Sequence, residues 1–321
     1  MNYRQFGDTG IEVSEIGFGA WGIGGTPEDA KAYGPTDDQE SKRALRKAYE
    51  LGITFYDTSP LYGYGHSEHL IGEVLKKVRK NIVIATKAGY LNFQGDQDFS
   101  PLAIRKSVEE SLQRLQTDYL DILQLHYPQI ELLENDPTVF ETLRSLKEEG
   151  IIRVIGVSMP SPADNLKALE LYPFKSIQVN FSLVDQRALD QGLFDICCEN
   201  KVGVIGRTPL CFGFLTGCYS LDDVFDISDH RSQWSREQVE CWINAFRLFS
   251  NDLIKQKKKS HAQIALSFCL SYPGLSTTIP GMLTEAHVEE NVKSSELGEL
   301  DNSVIKHFNK IYHNNEFFIK P

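Results

Sequence analysis

The chain has 321 residues, of which 41% are hydrophobic and 24% are charged, with 24 glycines and 13 prolines. This composition is ordinary for a globular protein and excludes a largely disordered chain, while the length suits two average domains or one large α/β barrel. The formal net charge of −11 and a pI near 5.3 argue against a nucleic-acid partner, which needs a basic surface to contact.

Neither a membrane nor a metal is expected as a partner. Met1–Gln5 lack the apolar core of a signal peptide, and no apolar run reaches membrane-spanning length, so we expect a cytoplasmic protein. The cysteines form no Cys-x-x-Cys pair, which favours free thiols and disfavours zinc. They are Cys197, Cys198, Cys211, Cys218, Cys241 and Cys269.

The predicted elements alternate between short apolar strands and helical patterns, after a hairpin at residues 1–13 that has Gly10 in its turn. The strands are brief and apolar, as is typical of strands buried on both faces. They are Glu15–Ala20, Thr54–Tyr56, Ile82–Thr86, Ile122–Leu125, Val154–Val157, Ser176–Val179, Gly203–Ile205 and Thr277–Ile279. The helical patterns between them are Asp38–Glu50, Glu68–Lys77, Ser100–Leu115, Thr138–Glu148, Pro162–Leu171, Ala188–Asn200 and His261–Ser271.

This alternation predicts an α/β protein with a single (β/α)₈ TIM barrel over residues 1–321, whose floor the N-terminal β-hairpin closes. An open doubly wound sheet fits eight alternations less well, and a two-domain arrangement has no linker to support it. Residues 212–236 form a long loop after the seventh strand. Gly52, Gly150 and Gly203 are predicted to take the left-handed conformation after helices.

Four reactive side chains follow three successive strands. Asp57 follows the second strand, Tyr62 comes five positions later, Lys87 ends the third strand and His126 ends the fourth. Singly, they could be a helix cap, a packed loop aromatic, a surface charge and a hydrogen-bonded core residue. Together they indicate a site, because the carboxyl ends of barrel strands share one face and a buried lysine needs a partner such as Asp57.

These residue types suit the reduction of a carbonyl group. The oxygen needs a proton as hydride reaches the carbon, and a tyrosine is a weak acid whose pKa a neighbouring ammonium can lower. A histidine can hydrogen-bond the substrate oxygen, while a nicotinamide cofactor supplies the hydride. The sequence therefore predicts an oxidoreductase.

The chain resembles the aldo-keto reductases along almost its full length. The matching segments are Gly17–Trp21, Phe55–Gly63, Thr86–Gly89, Leu123–His126, Gly156–Ser158, Pro209–Leu210 and Ile279–Gly281. The resemblance implies that Tyr62 is the general acid and base, that Asp57 and Lys87 tune it, and that His126 orients the substrate carbonyl.

The resemblance also implies a set of cofactor contacts. They are Trp21, Ser158, Gln178, Arg207, Pro209, Leu210, Gly281, His287, Glu290 and Asn291. Two positions depart from the family pattern. Met159 stands where an asparagine is usual and offers no amide. Arg207 replaces an aromatic ring and could stack on the nicotinamide, reach the pyrophosphate or form a salt bridge at the barrel rim.

The cofactor expected from the resemblance is NADP(H), with NAD(H) as the alternative. NADPH-binding relatives place Lys or Arg after the last strand to hold the 2′-phosphate. Residues 282–291 contain neither, and offer one histidine, His287, beside three glutamates. A phosphate that lacks a bidentate arginine loses much of its recognition.

The expected substrate is a small molecule: an aldehyde, a ketone or a sugar carbonyl. Trp21 and Tyr64 are predicted to wall the pocket, which the loops at 22–38, 90–99 and 212–236 would shape. Acidic residues in the first two loops disfavour anionic substrates; they are Glu28, Asp29, Asp37, Asp38, Asp96 and Asp98. The alternatives are an NAD-preferring sugar (lactol) dehydrogenase, and a cofactor-sensing regulatory barrel with idle chemistry, against which the four intact reactive residues argue.

Overall fold

A computed structural model of the chain describes residues 1–250 and 259–319 and contains a barrel of eight parallel strands. The strands are β3 (Phe18–Gly19), β4 (Phe55–Asp57), β5 (Val83–Ala88), β6 (Leu120–His126), β7 (Ile152–Ser158), β8 (Ser176–Asn180), β9 (Gly203–Arg207) and β10 (Thr277–Ile279). Each pairs in parallel with the next along the chain. Parallel bridges Ile16↔Thr278 and Gly19↔Gly281 close the ring. The predicted (β/α)₈ architecture is confirmed.

The N-terminal hairpin closes one end of the barrel. Strands β1 (Tyr3–Gln5) and β2 (Glu12–Ser14) pair antiparallel, with Gly10 in the turn at φ 72°. Phe6, Ile11 and Val13 are buried in a cluster with side chains from the barrel strands. The strand residues of this cluster are Phe55, Val83, Ala85, Ile122, Val154, Ile205 and Ile279. The hairpin thus forms the floor, as predicted, and the opposite end of the barrel is left for function.

Helices surround the barrel. Those of the described residues are α1 (Asp38–Glu50), α2 (His66–Leu75), α3 (Pro101–Leu115), α4 (Ile130–Asn135), α5 (Pro137–Glu148), α6 (Pro162–Leu171), α7 (Arg187–Asp190), α8 (Leu193–Glu199), α9 (Arg236–Ser250), α10 (His261–Leu270), α11 (Glu285–Leu297) and α12 (Asn302–His313). Among the described residues, none of these helices has the length and apolar character needed to cross a bilayer. The single predicted helix over Ala188–Asn200 is wrong, since Gly192 at φ 69° separates α7 from α8.

Three of these helices begin with the same N-cap arrangement. The side chains of Ser100, Asp136 and Ser161 accept backbone N–H groups in the first turns of α3, α5 and α6. A proline follows each cap, where its missing N–H costs nothing and its fixed φ suits a helix. The sequence therefore fixes where these helices start.

Two of the three predicted glycine conformations are confirmed, and the third is wrong. Gly52 and Gly150 have φ of 89° and 76°. Gly203 instead lies in β9, and Lys201, at φ 54°, takes the left-handed conformation after α8. A Cβ atom on Gly203 would overlap the ring of Phe6. A glycine is needed there for close packing against the hairpin, and not for a turn.

Candidate active site

A cavity of about 670 Å³ opens at the carboxyl ends of the barrel strands. Asp57, Tyr62 and His126 line one part of it, and His287 and Asn291 of α11 line another. Its volume lies within the range usual for small-molecule sites. The cavity therefore joins three of the predicted reactive residues to the segment that follows the last strand.

Lys87 connects two of these residues. Its Nζ donates to Asp57 Oδ2 at 2.7 Å, to the Thr58 carbonyl oxygen at 2.8 Å and to Tyr62 Oη at 3.2 Å. The Lys87 and Asp57 side chains are only 1% and 2% exposed. Because an unpaired charge at such a position is costly, the ion pair holds the ammonium against the tyrosine oxygen.

The second carboxylate oxygen of Asp57 is held by two amides. Gln178 Nε2 donates to Oδ1 at 2.7 Å, and Gln124 Nε2 donates to it at 3.2 Å. Strands β5, β6 and β8 thus all contribute donors to a carboxylate carried by β4. Three protein donors therefore hold the Asp57 carboxylate in position.

Burial sets the protonation of the groups in the cavity. It raises the pKa of Tyr62, which the Asp57 carboxylate raises further and the Arg207 guanidinium lowers. The pKa of His126 lies well below its usual value, because burial and then the cations Lys87 and Arg207 disfavour imidazolium. Burial also lowers the pKa of Lys87, and Asp57 opposes that effect. The tyrosine is therefore a phenol that can donate a proton, and the histidine is neutral.

Helix α2 anchors the loop that carries Tyr62. Ser67 Oγ lies 2.9 Å from Thr58 Oγ1, and Glu68 Oε1 accepts from Thr86 Oγ1 at 2.6 Å. Arg114 Nε of α3 donates to the other Glu68 oxygen at 2.7 Å. These bonds tie the first turn of α2 to the residues beside Asp57 and Lys87. They fix the loop relative to both strands.

Arg207 is a second cation of the cavity wall. Its Nη2 donates to the Met159 carbonyl oxygen at 3.2 Å, and its guanidinium carbon lies 4.9 Å from the centre of the Tyr127 ring. Its Nε is buried and has no hydrogen-bond partner among the described residues. Burial lowers the pKa of Arg207 to about 10, a shift that Tyr62 and Asp57 oppose, so the group stays charged at neutral pH.

The residues expected to contact the cofactor lie in the cavity wall, with one exception. The lining members are Trp21, Gln178, Arg207, Pro209, Leu210, Gly281, His287, Glu290 and Asn291. Ser158 is buried outside the lining, and its Oγ donates to Gln178 Oε1 at 3.5 Å. The structure thus gathers these residues at one site. Ser158 lies outside it and contacts Gln178, which does line the cavity.

Two expectations about the pocket wall are corrected. Tyr64 is not part of the lining; its hydroxyl donates to Asp29 at 2.6 Å and its ring packs on Phe93, which does line the cavity. The acidic loop residues are absent from the lining as well; they are Glu28, Asp29, Asp37, Asp38, Asp96 and Asp98. Their charges are used in local contacts, such as the α1 cap at Asp37. The cavity wall therefore gives no support to the predicted exclusion of anionic substrates.

Sequence reasoning missed an aromatic lining. Five of its six residues come from the three loops that were expected to shape the pocket, and Tyr127 follows β6; none of the six belongs to a periodic pattern. They are Tyr33, Tyr90, Phe93, Tyr127, Phe212 and Tyr219. The 212–236 loop crosses to the 22–38 loop, where His230 N donates to the Ala32 carbonyl oxygen at 2.9 Å.

The far end of the cavity lies beside two helices with opposite charges. Lys47 Nζ of α1 lies 2.7 Å from Glu289 Oε1 of α11, and Arg43 Nε lies 3.8 Å from Glu285 Oε2. His287 Nδ1 accepts the Leu283 N–H at 3.3 Å. The nearest basic residues of α1 are therefore already engaged by carboxylates of α11.

Known proteins are similar to this chain along almost its whole length. The family model described as "Aldo/keto reductase family" matches residues 15–313. Aldo-keto reductase YhdN of Bacillus subtilis is 32% identical over 90% of this chain and 87% of its own, and L-galactose dehydrogenase of Arabidopsis thaliana is 34% identical over 91% and 87%. The holo form of an aldo-keto reductase from Bacillus halodurans superposes with a TM-score of 0.76, at 29% identity, over 97% of this chain and 96% of that one.

Proposed function

Because the chain belongs to the aldo/keto reductase family, we propose that Tyr62, Asp57, Lys87 and His126 carry out its reaction, a nicotinamide-dependent hydride transfer at the carbonyl or alcohol carbon of a small aldehyde, ketone or sugar. One observation carries the assignment. Lys87 Nζ lies within hydrogen-bond distance of both Asp57 and Tyr62, beside a cavity of small-molecule size.

Each residue has one role in the proposal. In the reducing direction Tyr62 Oη donates its proton to the substrate oxygen, and Lys87 stabilises the phenolate that remains. Asp57 keeps Lys87 charged and in place. His126, neutral and on the same wall, hydrogen-bonds the substrate oxygen and orients the carbonyl toward Tyr62.

The residues present fit a nicotinamide dinucleotide. The cavity runs without interruption from Tyr62 to Asn291, and the unpartnered Nε of Arg207 leaves a donor in its wall. Gln178, Glu290 and Asn291 are the polar residues that would hold the amide and adenine groups. When bound, the cofactor supplies or accepts the hydride.

A direct test is a panel of aldehydes and sugars assayed in both directions with each nicotinamide cofactor. The expected result is turnover of at least one substrate class, together with quenching of tryptophan fluorescence by the cofactor, since Trp21 lines the cavity. Cofactor binding without turnover of any substrate would favour the idle regulatory barrel instead.

A second candidate is an NAD(H)-preferring dehydrogenase acting on a sugar lactol. The observation that favours it is that residues 282–291, all of them in the described part of the chain, contain no Lys or Arg, while Arg43 and Lys47 of α1 are paired with glutamates of α11. The name of one relative refers to a sugar dehydrogenase and that of another to NADH. They are L-galactose dehydrogenase of Arabidopsis thaliana and NADH-specific methylglyoxal reductase of Escherichia coli. Comparing the specificity constants for NADPH and NADH separates the two candidates.

A further inference from the structure

Arg207 is a cation of the cavity wall without a paired carboxylate among the described residues. The other cation of the wall, Arg231, is paired with Asp229, and Lys87, just outside the lining, is paired with Asp57. Among the described residues, no carboxylate lies within salt-bridge distance of Arg207, whose only hydrogen bond goes to the Met159 carbonyl oxygen. With Tyr62 a phenol and His126 neutral, the charge of Arg207 is left unbalanced.

This charge is held close to the reacting groups. The pairing of β9 with β8 and β10 sets Arg207 opposite Asn180 and Ile279, at the rim where the strands end. Its guanidinium lies over Tyr127, the residue next to His126. Its field reaches Tyr62, Lys87 and His126, whose pKa values it lowers.

The reaction changes the charge at this place. In the oxidising direction, the alcohol C–H bond breaks and the hydride, with both electrons, passes to the oxidised nicotinamide. The hydroxyl proton passes to the Tyr62 phenolate and from there to solvent. The nicotinamide ring is cationic before this step and neutral after it, while Tyr62 must be ionised to act as the base.

We propose that Arg207 is the residue that makes this site bind reduced nicotinamide in preference to oxidised nicotinamide, so that the bound oxidised cofactor is a stronger hydride acceptor. A fixed cation in a site shielded from water repels the pyridinium and leaves the dihydronicotinamide almost unaffected. The same cation favours the Tyr62 phenolate, the form that alcohol oxidation requires. Both effects favour oxidation, and both rest on the proposed nicotinamide-dependent function.

The experiment measures the dissociation constants of the oxidised and reduced forms of whichever nicotinamide cofactor the wild-type protein binds, by fluorescence titration of wild type, Arg207→Met and Arg207→Lys. In Arg207→Met the ratio of the oxidised to the reduced constant is expected to fall by about tenfold or more, as expected for one charge at short range. Arg207→Lys keeps the charge and should keep the ratio within about threefold of wild type. Lys175→Met, which removes a partly exposed lysine paired with Asp8 of the N-terminal hairpin, should leave the ratio unchanged.

A pH profile gives a second readout. In Arg207→Met the acidic limb of the oxidation rate should move to higher pH, because the phenolate loses a stabilising cation. If Arg207→Met does not fold, the dissociation constants and the pH profile are measured on Arg207→Gln instead.

Equal weakening of both cofactor forms would overturn the proposal, since Arg207 would then contact a group common to both, such as the pyrophosphate. Failure of the wild-type protein to bind either form would contradict the proposed function itself.

Discussion

In the proposed reaction, Tyr62 is the residue whose environment matters most for the proton transfer. Burial and Asp57 raise its pKa, while the ammonium of Lys87 lies 3.2 Å from its oxygen. The phenol is thus the resting form, and the adjacent cation stabilises the phenolate that forms when the proton leaves. This combination suits a group that donates a proton only when the substrate oxygen becomes basic.

Replacing Tyr62 by Phe should reduce turnover by roughly 10²- to 10⁴-fold, the usual contribution of general acid catalysis. Cofactor affinity should change little, because the hydroxyl acts mainly in the transition state. The matched control is Tyr64→Phe, two positions away and outside the cavity lining. Single-turnover rates measure the first effect and fluorescence titration the second; a Tyr62→Phe rate equal to that of Tyr64→Phe would assign the acid elsewhere.

Lys87→Met should move the acidic limb of the oxidation profile to higher pH. Removing the ammonium takes away a group that favours phenolate, and it leaves the Asp57 carboxylate, which raises the pKa of Tyr62, without its counter-charge. Both changes raise that pKa, so more base is needed to ionise the tyrosine. The measurement is the pH dependence of the oxidation rate, with Lys76→Met, a surface change, as control. An unmoved limb would separate Lys87 from Tyr62.

At this scale the sequence predicted that Asp57, Tyr62, Lys87 and His126 lie close together, but it did not predict the pocket wall. Asp57, Lys87 and His126 could be placed because strand ends in a barrel converge on one face. Tyr64 was placed in the pocket wall, since it lies in the same glycine-containing loop as Tyr62. Gly63 at φ 59° and Tyr64 at φ 50° turn the chain between them, so that only Tyr62 reaches the cavity.

Helix α2 connects two strands of the site through a buried carboxylate. Glu68 is fully buried and joins Thr86 of β5 to Arg114 of α3. Helix α2 can hold its neighbours in position only while both Glu68 and Arg114 are present. Glu68 therefore links α2, the helix after the Tyr62 loop, to the Lys87 strand through Thr86 and to α3 through Arg114.

Glu68→Ala should lower the free energy of unfolding by about 3 kcal/mol, near the lower end for breaking a buried pair because Arg114 is partly exposed. Glu110→Ala removes another carboxylate near Arg114, 3.7 Å away and largely solvated, and should cost less than about 1 kcal/mol. Urea denaturation of the two variants measures the difference. Equal losses would show that Glu68 adds nothing beyond a surface pair.

At the element scale, α11 is a helix that the sequence analysis missed because its buried face is partly polar. Helix α11 buries Asn291, Ser294 and Ser295 along with Val288 and Val292. Ser295 Oγ accepts the backbone N–H of Asn2 at 2.7 Å, so the helix packs on the hairpin partly through polar atoms. Hydrophobic periodicity cannot reveal such a helix. The strands, in contrast, are rich in apolar residues and were placed within a few residues.

Across the whole molecule, closure of the barrel brings the first helix, α1, against α11, the helix that follows the last strand. Helices α1 and α11 meet through Lys47–Glu289 and Arg43–Glu285, beside the end of the cavity lined by His287. Closure of the barrel thus determines the charge of that end of the site. A phosphate entering there would meet cations that carboxylates already neutralise.

We therefore expect NADPH and NADH to differ by about tenfold or less in specificity constant, or about 1.4 kcal/mol. His287→Arg should shift the preference clearly toward NADPH, because a guanidinium can bind a phosphate with two hydrogen bonds. His307→Arg on the outer helix α12 is the matched control. A wild-type preference for NADPH of about 10²-fold or more that survives His287→Ala would place the phosphate site elsewhere.

The contacts of Asp57 have a consequence for how the protein folds. Its carboxylate, on the second barrel strand, is held by Lys87, Gln124 and Gln178, which lie on the third, fourth and sixth strands. Such a junction cannot form until the chain has folded well past its midpoint, and contacts so distant in sequence form slowly. Enzymatic activity on refolding should therefore return with the last kinetic phase. An early collapsed state with its helices already formed would be catalytically inert.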